Sequence, residues 1–458
     1  MTFKGLAAVV VILGASIAGA QPVTQDQLSS LYATELGSLY HSGDLPRLYS
    51  ANQSIEQYFA ALDTNQRNAA LSDLTKSGID AVIIGRLARI RLGWEELAPG
   101  VYYINEKSGP YQVRYFLGVP KGYQRTVAWP LVIKLPTPNA FEEQPAPDAD
   151  EVTKIYTGWI TDELERHSDA VVLMPLLNLT ERYGPSIEGM NTVIQPLLNV
   201  AGKVNIDPAR VYMMGHSMAG AATWSIAMHY PTYFAAINPL AGTPEEDWTL
   251  LRMVNLRNIL VVVWHDADDL VMPMNRAADL VSAMRKLKMD VEYFQSQGVG
   301  HAPSSDILRL CYGKMRARIR YVYPTRVSLQ SNRNESFFNR NDWVQVYQEL
   351  EPGPVRMERT PSGQLFKMNQ NAYSLDARID GNTVQMTEDN VMLLRLYFND
   401  QLVDLSKPVV VMVDGKERFR GMLKPSLEEM MNDQRFLGRG WRYYTAMLDL
   451  DLTATPTH

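Results

Sequence analysis

The spacing of apolar residues along the chain changes twice. Between about Gln25 and Trp94 they recur every three or four positions, in QLSSLYATELGSLY, SIEQYFAALD and IDAVIIGRLARI. That period belongs to helices with one buried face. From about Gly100 to Tyr323, short apolar runs alternate with helical segments. VRYFLGV, PLVIKLP, AVVLMPL, RVYMM, FAAINPL, NILVVVWH and VEYFQ read as strands; GWITDELERH, NTVIQPLLNVAGKV, SMAGAATWSIAMHY and NRAADLVSAMRKLK read as helices. Continuously apolar strands alternating with helices predict a mostly parallel sheet with helices on both faces. After Pro324 strand-like runs dominate, from TRVSLQS to TAMLDLDL, with turn signals at Asp380–Asn382 and Asp414–Lys416 and one helical stretch, PSLEEMMNDQRF. A sandwich-like all-β unit is expected there. Trp343 is expected to point into its core. The expected division is 21–100 helical, 101–323 α/β and 324–458 β-rich.

The first twenty residues are different. Lys4 precedes an apolar run from Leu6 to Ile17, and Ala18-Gly19-Ala20 follows. This pattern predicts a secretory signal over 1–20, with Gln21 as the mature start and a secreted or periplasmic bacterial protein as the product. An uncleaved anchor is the alternative reading. No later segment is apolar for long enough to predict a membrane span. The 458 residues are 46% hydrophobic and carry a formal net charge of −6, which argues against a nucleic-acid partner. Cys311 is the single cysteine, so no intramolecular disulfide forms. It falls in a helical pattern, SSDILRLCYGKMRARIR, and reads as a small core residue.

Chemistry concentrates at three places in the α/β segment. The first is MMGHSMAG, Met213–Gly220, where a predicted strand meets a predicted helix at Ser217. A sharp strand-to-helix turn lifts a serine hydroxyl clear of the sheet. Gly215 and Ala219 are small enough to let the turn close, and the N–H of Met218 is left free for an oxyanion. The second is NILVVVWHDADDLVMP, a strand running into a loop that offers Asp266, Asp268 and Asp269 as acids. The third is VEYFQSQGVGHAPSSD, which carries His301 in a glycine-flanked loop after the last strand. Serine, acid and histidine therefore follow in that order, each after a predicted strand, where an open α/β sheet places its site. The other histidines are weaker candidates. His216 reads as structural support and His265 as a packing or hydrogen-bonding residue. His229 and His167 read as helix-end residues whose cations a helix dipole favours.

The stretch IDPARVYMMGHSMAGAATWSIAMHYPTYFAAINPLAG resembles the nucleophile region of α/β-hydrolase esterases of the feruloyl esterase, polyhydroxybutyrate depolymerase and prolyl-oligopeptidase-like group. The similarity covers roughly Tyr111 to Asp306. It implies an α/β-hydrolase core. HDADDLVMP resembles the group's HGxxDxxVP loop, which implies Asp269 as the acid, with Asp268 second, and puts Asp266 at the glycine position. GVGH resembles its histidine loop and implies His301. Where the group has His-Gly after the strand LVIKLP, this chain has Pro136-Thr137-Pro138-Asn139. That loop supplies the second oxyanion donor in the group. Prolines have no N–H, so Thr137 is the expected donor, with Asn139 second.

The expected activity is that of an exported serine hydrolase that cleaves carboxylic esters, small or polymer-linked, through Ser217, His301 and Asp269. Met218 and Thr137 form its oxyanion hole, and it needs no metal or cofactor. A serine peptidase on the same triad is one rival. A non-catalytic binding protein on a decayed hydrolase core is the other, motivated by the missing His-Gly. The sequence carries no signal for oligomeric state.

Overall fold

The computed structural model describes residues 23–137, 149–176, 187–244, 250–333, 335, 338–359 and 365–454. The predicted signal segment, Pro138, Asn139 and His458 lie outside the described residues.

The described residues begin with helices α1 (Gln25–Leu36), α2 (Leu45–Ala60), α3 (Thr64–Lys76) and α4 (Ala81–Leu87). Thr24, Asp63 and Asp80 cap α1, α3 and α4 by accepting from backbone N–H groups two or three residues on. All four fall in the segment whose spacing predicts helices; α3, which buries Ala70 and Leu74, is not singled out by a stretch of its own.

An eight-stranded sheet follows: β1 (Gly100–Ser108), β2 (Tyr111–Val119), β3 (Trp129–Leu135), β4 (Val171–Pro175), β5 (Ile206–His216), β6 (Ala236–Leu240), β7 (Leu260–Asp266) and β8 (Val291–Ser296). Their spatial order is β1-β2-β4-β3-β5-β6-β7-β8. The β1–β2 and β2–β4 pairs are antiparallel, and the remaining pairs are parallel. Between the strands run α5 (Ala149–Arg166), α6 (Ile187–Lys203), α7 (Met218–His229), α8 (Asn275–Lys286) and α9 (Ser305–Arg316). Successive residues of β3 serve opposite faces, as the pleat requires. Leu131, Ile133 and Leu135 join the cluster containing α6, α7 and α8, whereas Val132 joins the one containing Cys311, Tyr312 and Met315 of α9. Residues of α5 pack on Phe116, Val172 and Met174, so helices cover both faces. This is the α/β-hydrolase core that the sequence predicts. The strand order reverses at β3, whose neighbours are β4 and β5. A crevice opens at such a point beyond the C-terminal strand ends.

The β-rich region holds β9 (Arg326–Ser331), β10 (Arg340–Asn341), β11 (Val344–Glu349), β12 (Val355–Arg359), β13 (Leu365–Asn369), β14 (Tyr373–Asp380), β15 (Thr383–Asp389), β16 (Val391–Phe398), β17 (Val409–Val413), β18 (Lys416–Gly421) and β19 (Ala446–Asp451), with α10 (Leu427–Leu437) before the last strand. Two sheets, β10-β11-β16-β19 and β18-β17-β15-β14-β9, share one apolar cluster, and β12–β13 forms a separate ribbon. The two turn signals join β14 to β15 and β17 to β18. Trp343 is fully buried, with its indole N–H on the Pro324 carbonyl at 2.7 Å.

Apolar clusters cross between these regions. Met430, Met431 and Tyr443 pack among the N-terminal helices, while Phe338 and Trp441 pack in the cluster beneath the large sheet. Between the large sheet and the β-rich region lies a buried polar seam. Arg320 donates to Asp342 and to the Phe234 carbonyl, Asp342 accepts through its carboxylate and its N–H donates to Thr232, and Arg442 donates to the Thr232 carbonyl.

Candidate active site

Ser217 stands between β5 and α7 with φ 59° and ψ −125°. A side-chain-bearing residue seldom adopts this conformation, and one held there costs about 1–3 kcal/mol. The surroundings impose it. The Ser217 N–H donates to the Leu240 carbonyl at 2.9 Å, and its carbonyl accepts from Ala221 N–H at 3.0 Å. A Cβ on Gly215 would lie 2.3 Å from the Ala219 carbonyl oxygen, and one on Gly242 would lie 2.1 Å from the Ser217 carbonyl oxygen. Glycine is thus required at both positions. Gly215 is legible from the motif. Gly242 lies 25 positions after the serine, and only the fold brings it there.

The structure brings Ser217, Asp269 and His301 together. His301 Nδ1 lies 2.9 Å from Asp269 Oδ2, and Nε2 lies 2.9 Å from Ser217 Oγ. A carboxylate only accepts, so Nδ1 carries the proton and Nε2 of the neutral ring accepts from the serine hydroxyl. The Asp269 side chain is sealed from solvent, whereas that of His301 is 22% exposed. Burial alone would raise the Asp269 pKa. Hydrogen bonds from the N–H of Met272, the His301 ring and the N–H of Val271 outweigh it and hold the carboxyl below its ordinary value. Asp269 therefore stays ionised beside the imidazole.

Asp266 and Asp268 stand elsewhere in the loop. Asp266 accepts from Ser296 Oγ at 2.6 Å, Asp268 N–H at 2.9 Å and Val299 N–H at 3.2 Å. Asp268 accepts from Gly298 N–H at 2.9 Å. Neither carboxylate reaches the His301 ring, whose Nδ1 is on Asp269.

Met218 is the first residue of α7, so its N–H has no acceptor one turn back. Thr137 follows β3, whose Leu135 pairs with Gly215, and its hydroxyl donates to the His216 carbonyl at 3.3 Å. Thr137 thus sits against the nucleophile turn.

Two histidines do more than their sequence positions indicate. His216 Nε2 donates to the His301 carbonyl at 2.7 Å, so it supports the histidine loop. His265 Nε2 faces both the Met272 carbonyl and Asp269 Oδ2, the latter at 3.3 Å, and so carries a proton. Both contacts are long-range or loop-dependent, and no local pattern announces them. His229 ends α7 and His167 directly follows α5, as expected, but both are buried, and burial pushes each pKa below the ordinary histidine value, against the cation that a helix end would favour. His167 also faces the Glu163 carboxylate at 3.6 Å.

Among the described residues, no group of three or more His, Cys, Asp or Glu side chains is arranged to hold a metal ion. Among those residues, no helix is long and apolar enough to cross a membrane.

No protein-family model matches the chain. No curated protein matches it either. Solved structures do. A thermostable esterase is 23% identical over 43% of this chain and 55% of its own, with a TM-score of 0.37. A ferulic acid esterase is 14% identical over 47% of this chain and 95% of its own, at 0.34. Esterase 2 of Thermogutta terrifontis is 12% identical over 48% of this chain and 93% of its own, at 0.35. This chain thus spans about half the length of the thermostable esterase. These proteins are of the kind the nucleophile region resembles.

Proposed function

We propose that the chain is a serine hydrolase that cleaves carboxylic esters. The observation that carries this reading is the chain of hydrogen bonds Ser217–His301–Asp269, two contacts of 2.9 Å around one imidazole. Ser217 Oγ attacks the acyl carbonyl as its proton passes to His301 Nε2. The new O–C bond leaves a tetrahedral oxyanion, held by the N–H groups of Met218 and Thr137. Asp269 stabilises the imidazolium. His301 then gives the proton to the alkoxide as the ester C–O bond breaks. Water, deprotonated by the same imidazole, releases the acid from the acyl-enzyme and restores the serine. Esters are favoured over amides because an alkoxide leaves with less assistance than an amine. On this reading residues 1–20 direct export and are then removed, leaving a secreted or periplasmic enzyme.

A screen of short-chain acyl, feruloyl and polyester substrates beside peptide amides tests the reading, with Ser217→Ala as control. Ester turnover that vanishes in the control is the expected result. Turnover of peptide amides alone would favour the peptidase rival, and no turnover the non-catalytic one.

A further inference from the structure

We propose that Asp266 is a positioning residue for His301: its carboxylate ties the histidine loop to the acid loop, and so sets the imidazole between Ser217 and Asp269. The inference rests on the proposed triad.

The histidine loop has little of its own to hold it. Gln297, Gly298 and Val299 are exposed. A Cβ built on Gly298 or Gly300 meets nothing within 4 Å. Packing therefore does not fix this segment; hydrogen bonds do. Asp266 closes the pairing of β7 with β8, opposite Ser296. Paired residues point to one face, so the two side chains meet. The Trp264 indole donates to Ser296 Oγ at 3.0 Å. An indole N–H only donates, so the serine accepts it and gives its own proton to Asp266. The same carboxylate oxygen accepts the Val299 N–H, two residues before His301. Its other oxygen accepts the Asp268 N–H, one residue before the triad acid. One buried carboxylate thus spans both loops, and Asp268 adds a tie to Gly298. Burial would raise the Asp266 pKa, but the hydrogen bonds from Ser296, Asp268 and the loop N–H groups leave it below the ordinary value, so the acceptor stays charged. The resembling group has glycine here, which offers no acceptor.

A double-mutant cycle on a soluble ester tests this. In the parent, Asp266→Asn is expected to lower kcat by about 100-fold, the scale of a displacement near 1 Å, with KM changed by less than about twofold. In the Asp269→Asn background the same change should cost under about threefold, because the imidazole has already lost the partner against which Asp266 holds it. A purely structural defect would cost the same factor in both backgrounds. Asp268→Ala and Ser296→Ala each remove one tie and are read in the same cycle, which serves if Asp266→Asn does not fold. Full kcat in the folded single variants, or equal losses in both backgrounds, overturns the inference while leaving the triad intact. A parent that hydrolyses no ester and leaves Ser217 unreactive toward a fluorophosphonate overturns the functional reading and this inference with it.

Discussion

The C-terminal end of the large sheet and the seam beneath the β-rich region both bury charged side chains, with different results. In the seam, Arg320 and Asp342 are sealed from solvent at both ends, 1% and 0% exposed, and their partners come from either side of the boundary. At the sheet end, the Asp269 carboxylate is buried but the imidazole it holds is 22% exposed. In the seam both members of the ion pair are enclosed; at the site the carboxylate is enclosed and the group attached to it is presented. The same chemistry therefore joins two parts of the chain in one place and offers a base to substrate in the other. Substitutions in the two places should consequently fail in different measurements.

The largest effect is expected at the site. Asp269→Asn should lower kcat by about 10⁴, the precedent for a triad acid converted to its amide. Asp268→Asn should cost far less, since its carboxylate reaches Gly298 and not the imidazole. A crippling loss at Asp268 with a mild one at Asp269 would reverse the assignment. The seam gives the contrasting result. Asp342→Asn leaves the Arg320 guanidinium buried without its counter-charge and should cost about 3–5 kcal/mol in denaturant unfolding, with kcat unchanged in the folded enzyme. Asp342 has φ 46°, a conformation asparagine also tolerates, so the loss reports the charge and not the backbone. A fall in kcat at full stability would erase the distinction between the two regions.

Thr137→Pro sharpens the comparison within the site. It removes one N–H and should lower kcat by about 10²–10³ with little change in KM, while Thr137→Ala, which keeps the N–H, should be mild. Full kcat in a folded Thr137→Pro enzyme would place the second donor elsewhere. The smallest effect concerns His229, which lies away from the triad. Burial first, then the nearby charges of Arg252 and Arg333, hold its pKa well below the ordinary value. The folded state keeps it neutral, whereas the unfolded chain binds a proton as pH falls through about 6.5. Stability is therefore lost as pH drops below that value. His229→Gln should flatten the loss between pH 6 and 5 by up to about 1.4 kcal/mol per unit. An unchanged slope in thermal or denaturant unfolding would show that His229 titrates normally.

The sequence made the α/β core legible because its strands are apolar on both faces and bounded by motifs. It did not pick out β1, β12, β13 or β18, and it placed α3 only within a broader helical segment; α3, β12 and β18 are too polar or too charged for period alone to reveal. The serine turn, the acid loop and the histidine loop were readable in their order. Gly242, His216 against the His301 carbonyl, and Asp266 across two loops were not, because each depends on a contact between segments distant in the chain. The crossing of Trp441 into the large-sheet cluster, and of Met430 and Met431 into the helical one, was hidden for the same reason. Burial also reversed the expected character of His229 and His167, since a helix end predicts a cation only where water reaches it.

The central claim is that Ser217 is a nucleophile activated by His301. Its most direct test is covalent labelling of the full chain with a fluorophosphonate, followed by peptide mapping. The account predicts one label per chain on the peptide containing Ser217, no label in Ser217→Ala and a strongly slowed reaction in His301→Ala. A wild-type chain that takes no label, or takes it on another residue, would contradict the account.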